Sequence, residues 1–508
     1  MMQALTRARL AIRQTEVLGT VMHSLAEVHG DRRLMTDAHG LTLTFSEASD
    51  QVNRWAGGIA RRAERGDRVV LNTKNSYELF LLCLATSRAG CIPVPINPQM
   101  QVAEVDHVIA DSGARLVIRD ANELGDAVPL LEPIPTSLAD VAALFYTSGT
   151  TGQPKGAELS HQALVGQATA GVAWPAVLHR DEAVVALPIA HIMGFAVLMG
   201  LACMAVPVYQ LESFHPVEVL DVIEDRRATV FIGVPAMFRM LIEAGAEGRD
   251  LTSIRLWGSG ADAMPADLAR QFKQMGATMT LPLVGAVGQA AFVEADGLVE
   301  VGGGVAAKVS PPLVGLGLGN SIGFQLPGYT FRVMRVDGDD RGGVDPDGET
   351  EVGLGGVGEL WVKGAGVIKG YWNAPEATSD VVTEDGWLRT GDLVRKGMFG
   401  TVVFVGRKKD VIKHGGYSVY AVEVQEVLER HPAVLEAAVV GLPDPIKGEV
   451  PAAVVRLIDG ADLDEIDLTT WAAVRLAAYK VPKHWVAVDA LPMTATSKVR
   501  KQELLRLF

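Results

Sequence analysis

Val141-Ala-Ala-Leu-Phe145 runs directly into Tyr146-Thr147-Ser148-Gly149-Thr150-Thr151-Gly152-Gln153-Pro154-Lys155-Gly156, an apolar strand-like run followed by a loop of small residues. Small hydroxyl residues and glycine let consecutive backbone N–H groups turn toward an anion, and Lys155 adds a positive charge, so the loop suits a polyphosphate. It is not the Walker pattern. The Gly-Lys pair that closes that motif is reversed here as Lys155-Gly156, and no helix-opening Ser or Thr follows Lys155. The plain alternative is an ordinary surface loop, and the strand-like run before it weighs against that.

Outward from this stretch, the apolar runs Arg68 to Leu71, Cys91 to Pro95, Leu116 to Ile118 and Ala183 to Leu187 alternate with helix-length segments such as Glu78 to Ala89. Such alternation predicts an α/β architecture, a large N-terminal domain of parallel sheets flanked by helices. Asp337 to Gly356 reads as an exposed Gly/Asp-rich turn region. After it, Gly358 to Lys363 and Thr401 to Val405 read as strands of a small β element. A new pattern starts near Lys408: a helix over Ala421 to Glu429, a strand over Val434 to Val440, a helix over Thr469 to Ala478 and a Lys-rich end. The expected division is therefore 1–407 for the large domain and 408–508 for a small α+β C-terminal domain.

The chain has 508 residues, more than one core usually holds. Its 60 acidic against 46 basic residues argue against nucleic acid as a main partner, since phosphate backbones call for clustered Lys and Arg. Cys83, Cys91 and Cys203 are an odd number in apolar surroundings, as expected of buried thiols in a reducing cytoplasm. No apolar run and cleavage site of a secretory signal follows the early arginines. Leu187 to Leu211 is apolar enough to imitate a membrane span, but His191, Pro207 and interrupting glycines make a buried helix and strand the expectation, with no integral membrane segment. Gly315-Leu-Gly317-Leu-Gly319 lacks dinucleotide-fingerprint spacing and reads as a loop.

Further motifs follow the loop in a fixed order: Gly358-Glu359-Leu360, Gly370-Tyr371-Trp372, Asp385 to Asp392, Gly406-Arg407-Lys408-Lys409-Asp410 through Gly415-Gly416-Tyr417, Tyr479-Lys480-Val481-Pro482 and Thr496-Ser497-Lys498-Val499. Together with the loop they make the chain resemble the adenylate-forming superfamily, which includes acyl-CoA synthetases, over nearly its whole length. The resemblance implies an ATP- and Mg²⁺-dependent acid–thiol ligase with a mobile C-terminal domain. It would make acyl-AMP and pass the acyl group to CoA, with an acyl carrier protein as the rival acceptor.

By the same resemblance, Thr147, Ser148, Gly149, Thr150, Thr151, Gly152 and Lys155 hold phosphates, and Glu300 holds Mg²⁺, for which a hard oxygen ligand beside phosphates is suitable. Asp392 would accept both ribose hydroxyls, its alternative being a turn aspartate. Arg407 would reach ribose or phosphate as a permanently charged planar donor. Lys409 is the implied hinge, whereas Lys408 reads as part of a solvated basic turn. Lys498 is the implied catalytic lysine, a cation set between the carboxylate and the α-phosphate; Ser497 stands there where the family has Gly. Gly415 and Gly416 would let a pantetheine arm pass close to backbone, their alternative being a simple β-turn. His191 matches a position at the mouth of the acyl pocket, and equally suits a packed core residue.

One departure falls at Asp296-Gly297-Leu298-Val299-Glu300, where the family has Tyr-Gly-x-Thr-Glu. Asp296, the implied adenine-binding position, cannot stack, and Val299 cannot donate a hydrogen bond. That motivates a rival of another class, a catalytically weak nucleotide- or acyl-binding protein. Ile192-Met193-Gly194 lack the aspartate of amino-acid-activating relatives, so an amino acid substrate is disfavoured. The apolar neighbours Met193, Phe195, Val234, Met237 and Phe238 suit a fatty or aryl acid.

Overall fold

The alternation of side-chain direction along a strand accounts for the central layer. Ala183, Val185 and Val230 belong to one buried cluster, while Val184, Phe231, Trp257 and Phe292, their sequence or register neighbours, belong to another. Strands packed on both faces must be apolar throughout, which is why these segments read as continuous hydrophobic runs. The computed structural model describes residues 2–147, 153–173, 181–281, 284–312, 321–336, 350–463, 465–493 and 499–508. Ser148, Gly149, Thr150, Thr151, Gly152 and Lys498, the glycine cluster 315–319 and most of the turn region 337–356 lie outside them.

The chain forms two compact units, residues 1–330 with 362–388 and residues 331–361 with 389–508. In the first, one sheet takes in order the strands Ser321–Gln325, Gly303–Ser310, Ala291–Leu298, Leu256–Gly260, Val230–Gly233, Ala183–Val185, Val208–Gln210, Arg33–Asp37 and Thr42–Thr44. Pairing is parallel from Ala291–Leu298 through to Arg33–Asp37. It is antiparallel among Ala291–Leu298, Gly303–Ser310 and Ser321–Gln325, so the expected parallel sheet is in fact mixed. A second, three-stranded parallel sheet joins Ile92–Pro95, Arg68–Leu71 and Leu116–Ile118. The apolar stretch 187–211 folds as the helix Ile192–Cys203 and the strand Val208–Gln210, both largely buried. Among the described residues no helix is long and apolar enough to cross a membrane. The three cysteines are free and buried.

The second unit carries the strand run Tyr329–Met334, Val357–Gly364, Leu388–Lys396 and Val402–Arg407, whose ends reach past the division between the units. It also has a five-stranded sheet of Tyr417–Tyr420, Val411–His414, Gly448–Leu457, Val434–Asp444 and His484–Ala487. The helix Ala421–Glu429 packs on it through Val424, Val427 and Leu428. The expected helix over Thr469 to Ala478 is shorter, Leu468–Ala473, and opens on the Asp467 carboxylate, which accepts the Thr470 N–H at 2.8 Å.

His161 in the first unit is buried and its Nδ1 accepts the Leu18 N–H at 3.0 Å. Burial pushes its pKa down to about 4, the nearby Asp140 charge opposing. An unfolded histidine binds its proton near the ordinary value of about 6.5. Between these values the unfolded chain binds more protons, so stability falls as pH drops from 6.5 toward 4. We expect His161→Asn to flatten that slope by on the order of 1–2 kcal/mol between pH 7 and pH 5, read as urea midpoints at each pH. His29, also pushed down to about 4 by burial, adds a slope of the same sign that the variant leaves in place.

Candidate active site

The loop that opened the sequence analysis sits in an antiparallel hairpin of the first unit, Val141–Thr147 against Lys155–Ser160, with Thr147 directly opposite Lys155. In the next pair Gly156 faces Tyr146, and a Cβ on Gly156 would lie 3.0 Å from the Tyr146 ring, so a side chain there would crowd the ring. His107 donates from Nε2 to the Pro154 carbonyl at 2.9 Å, fastening the loop's exit. Tyr146 donates its hydroxyl to Asp111 at 2.6 Å.

Gly370-Tyr371-Trp372 lies along the outer side of this hairpin. The Glu158 N–H donates to Gly370 O at 3.0 Å, the Trp372 N–H to Gly156 O at 2.8 Å, and Ala157 bridges Tyr371. This aims Tyr371 at two sequence-predicted residues. The Lys155 ammonium lies 5.5 Å from the Tyr371 ring centroid, and the Tyr371 hydroxyl donates to Glu300 Oε1 at 2.7 Å. Burial, reinforced by the Glu300 charge, raises the Tyr371 phenol above its ordinary range. Glu300 stands on the short turn Val299–Val301, its carbonyl accepting the Ile368 N–H at 2.9 Å. Sequence reading quoted Tyr371 only as part of a motif and missed its contacts; the motif's aromatic hydroxyl was the available signal.

His191 caps the helix Ile192–Cys203, its Nδ1 accepting the Met193 N–H at 3.3 Å. Asp296 lies on the strand Ala291–Leu298 opposite Ala306, where the register slips before Gly297. The apolar residues expected near the acid divide between the two buried clusters. Phe195 is packed between Phe80 and Phe145 at 5.4 and 5.6 Å, and Phe238 sits among Phe231, Trp257, Phe272 and Phe292 in the cluster on the other face of the sheet. Met193, Val234 and Met237 lie with the first cluster, and a Cβ on Gly260 would come within 3.2 Å of Met193 Cε.

In the second unit, Asp392 and Arg407 pair across neighbouring strands and meet as an ion pair, Nε to Oδ1 at 2.8 Å. Asp392 is buried, and its N–H donates to Thr390 Oγ1 at 3.0 Å. Lys408, expected to be merely solvated, pairs with the buried Glu359 at 3.0 Å, whose other oxygen accepts the Gly391 N–H at 3.1 Å. Lys409 is exposed in the turn Lys408–Asp410.

Gly415 and Gly416 join the strands Val411–His414 and Tyr417–Tyr420 at φ +57° and +84°, the left-handed pair that a tight type I′ turn requires. A Cβ on Gly416 meets nothing within 4 Å, so a side chain there costs only backbone strain of about 1–2 kcal/mol. If Gly416 also borders a thiol path, Gly416→Leu leaves hydroxylamine-trapped acyl-AMP intact while thioester disappears. Loss of both products would reduce Gly416 to its turn.

Among the described residues no group of three or more His, Cys, Asp or Glu could hold a metal alone. One carboxylate with an oxygen already oriented, beside a phosphate loop, fits Mg²⁺, which keeps waters and substrate phosphates in its shell. Residues 23–372 match the AMP-binding enzyme family and residues 423–498 match the AMP-binding enzyme C-terminal domain, so the chain belongs to that family. It is similar to a feruloyl-CoA synthase of an Amycolatopsis species, 34% identical with 96% of each chain covered. It is also similar to the long-chain-fatty-acid–CoA ligase FadD13 of Mycobacterium tuberculosis, 29% identical over 91% of this chain and 92% of that one. Among solved structures, ATP-bound MatB from Rhodopseudomonas palustris superposes with a TM-score of 0.82 at 30% identity, covering 97% of this chain and 99% of MatB.

Proposed function

We propose that this chain is an ATP- and Mg²⁺-dependent acyl-CoA synthetase acting on a fatty or aryl acid. The observation that carries this is the convergence of Lys155, Tyr371 and Glu300 beside the phosphate-loop hairpin. In the first half-reaction the acid's carboxylate attacks the α-phosphorus, giving acyl-AMP and pyrophosphate. Thr147 and Lys155, with the loop they bracket, hold phosphate oxygens. Asp392 accepts the ribose hydroxyls while Arg407 orients its carboxylate. Glu300 would hold Mg²⁺, which when bound neutralises charge on the phosphates. Lys498 stabilises the charge developing at the reacting centre.

In the second half-reaction the thiolate of CoA attacks the acyl carbon and AMP leaves. Residues 408–508 act as the mobile domain with Lys409 as hinge, and Gly415 and Gly416 border the thiol path. Splitting the work between two conformations withdraws Lys498 once its charge is no longer needed. The similarity to feruloyl-CoA synthase and FadD13 supports an aryl or fatty acid, and Met193, Val234 and Met237 supply apolar surface for it. Three buried free thiols suit the cytoplasm.

Pyrophosphate release with a panel of acids, with and without CoA, tests this reading. Acid-dependent release with CoA thioester as product supports it. Release without thioester, or thioester on a carrier protein only, moves the acceptor elsewhere, and no release with any acid leaves a binding protein.

A further inference from the structure

We propose that Tyr371 is a positioning residue that sets the Glu300 carboxylate for the metal and ties it to Lys155 of the phosphate loop; this rests on the reading of Glu300 given above. Three observations bear on it. The Tyr371 hydroxyl donates to Glu300 Oε1 at 2.7 Å, so one carboxylate oxygen is engaged and the rotamer of the group is restrained. The ring face of the same tyrosine carries the Lys155 ammonium at 5.5 Å, a distance at which the quadrupole of the ring attracts a cation. The backbone that carries the ring is fixed, being stitched to the hairpin through the Ala157 bridge while the Tyr371 N–H donates to Thr378 Oγ1 at 2.8 Å.

One rigid aromatic thus holds an anion and a cation that both serve the same triphosphate. A lone glutamate on a three-residue turn would sample many rotamers, and an orienting hydrogen bond of this kind is worth roughly 10- to 100-fold in metal affinity elsewhere. Tyr371 touches neither substrate nor reacting atoms in this role, so its effect is on the metal's share of nucleotide binding.

The test is equilibrium binding of ATP to the full chain by calorimetry, without acid so that no turnover occurs, in Mg²⁺ and in EDTA. The ratio of the two affinities is the gain due to the metal. Tyr371→Phe keeps the ring under Lys155 and removes only the hydroxyl. It is expected to cut that gain about tenfold while leaving the EDTA affinity within about twofold. Glu300→Gln should abolish the gain. If Glu300→Gln leaves the gain intact, the assignment of Glu300 itself fails. If Glu300→Gln removes it and Tyr371→Phe does not, only the positioning role fails. Equal weakening with and without metal would make Tyr371 merely structural and overturn the inference. Glu300→Asp gives an independent arm should Tyr371→Phe not fold. It draws the carboxylate back from the hydroxyl by one methylene and should lose the gain as Tyr371→Phe does, and an unchanged gain would count against the proposal.

Discussion

Lys498→Ala is expected to lower acyl-AMP formation by on the order of 10²-fold or more, while transfer from supplied acyl-AMP to CoA is largely kept. Two anions, the acid's carboxylate and the α-phosphate, must approach in the first step, and a cation between them offsets their repulsion more in the transition state than before it. The second step has a different leaving group and needs no such bridge. Among the described residues on either side of Lys498, Met493 bridges Val499, the Arg500 N–H donates to Pro492 O at 2.8 Å, and Lys501 pairs with Asp410 at 2.7 Å. Assay of pyrophosphate release and of thioester from synthetic acyl-AMP separates the steps. Equal damage to both would remove Lys498 from the chemistry.

Phe238→Ala is expected to destabilise the chain by roughly 3–5 kcal/mol without altering which acids are used. Phe238 is fully buried and meets Phe272 at 4.8 Å edge-on, Phe231 at 5.5 Å and Phe292 at 5.6 Å, so its loss empties the centre of an aromatic cluster. That cluster lies on the sheet face opposite the one that holds Met193, Val234 and Met237. Denaturant midpoints and the acid panel check both halves of the expectation. A variant of unchanged stability with altered acid preference would put Phe238 in the pocket after all.

Much of the architecture was legible. Runs such as Val141 to Phe145 and Arg68 to Leu71 are strands because continuous apolar character over a few β-favouring residues suits only a sheet covered on both faces. The 187–211 stretch folded as helix and strand as its interruptions implied. The antiparallel run Ala291–Leu298, Gly303–Ser310, Ser321–Gln325 was not legible, because strand direction depends on where the connecting chain goes and not on local residues. The separation of Phe238 from Met193, Val234 and Met237 was not legible for a related reason. Phe238 stands on the helix Pro235–Glu243, and an apolar helix residue near a site motif has the same composition whichever cluster it joins; how the helix docks against its neighbours decides which.

Local sequence was enough for the phosphate-loop composition and for the presence of Glu300, Asp392 and Arg407 in a recognisable order, since each motif consists of residues adjacent in the chain. The partners were settled only by tertiary structure. Asp392 meets Arg407 because two strands pair in one register. Tyr371 reaches Glu300 and Lys155 because its segment adds to the hairpin's edge. Hydrogen bonds and ring contacts act over a few ångströms in space and leave no mark on residues far apart in sequence, so only the folded chain can bring such groups together.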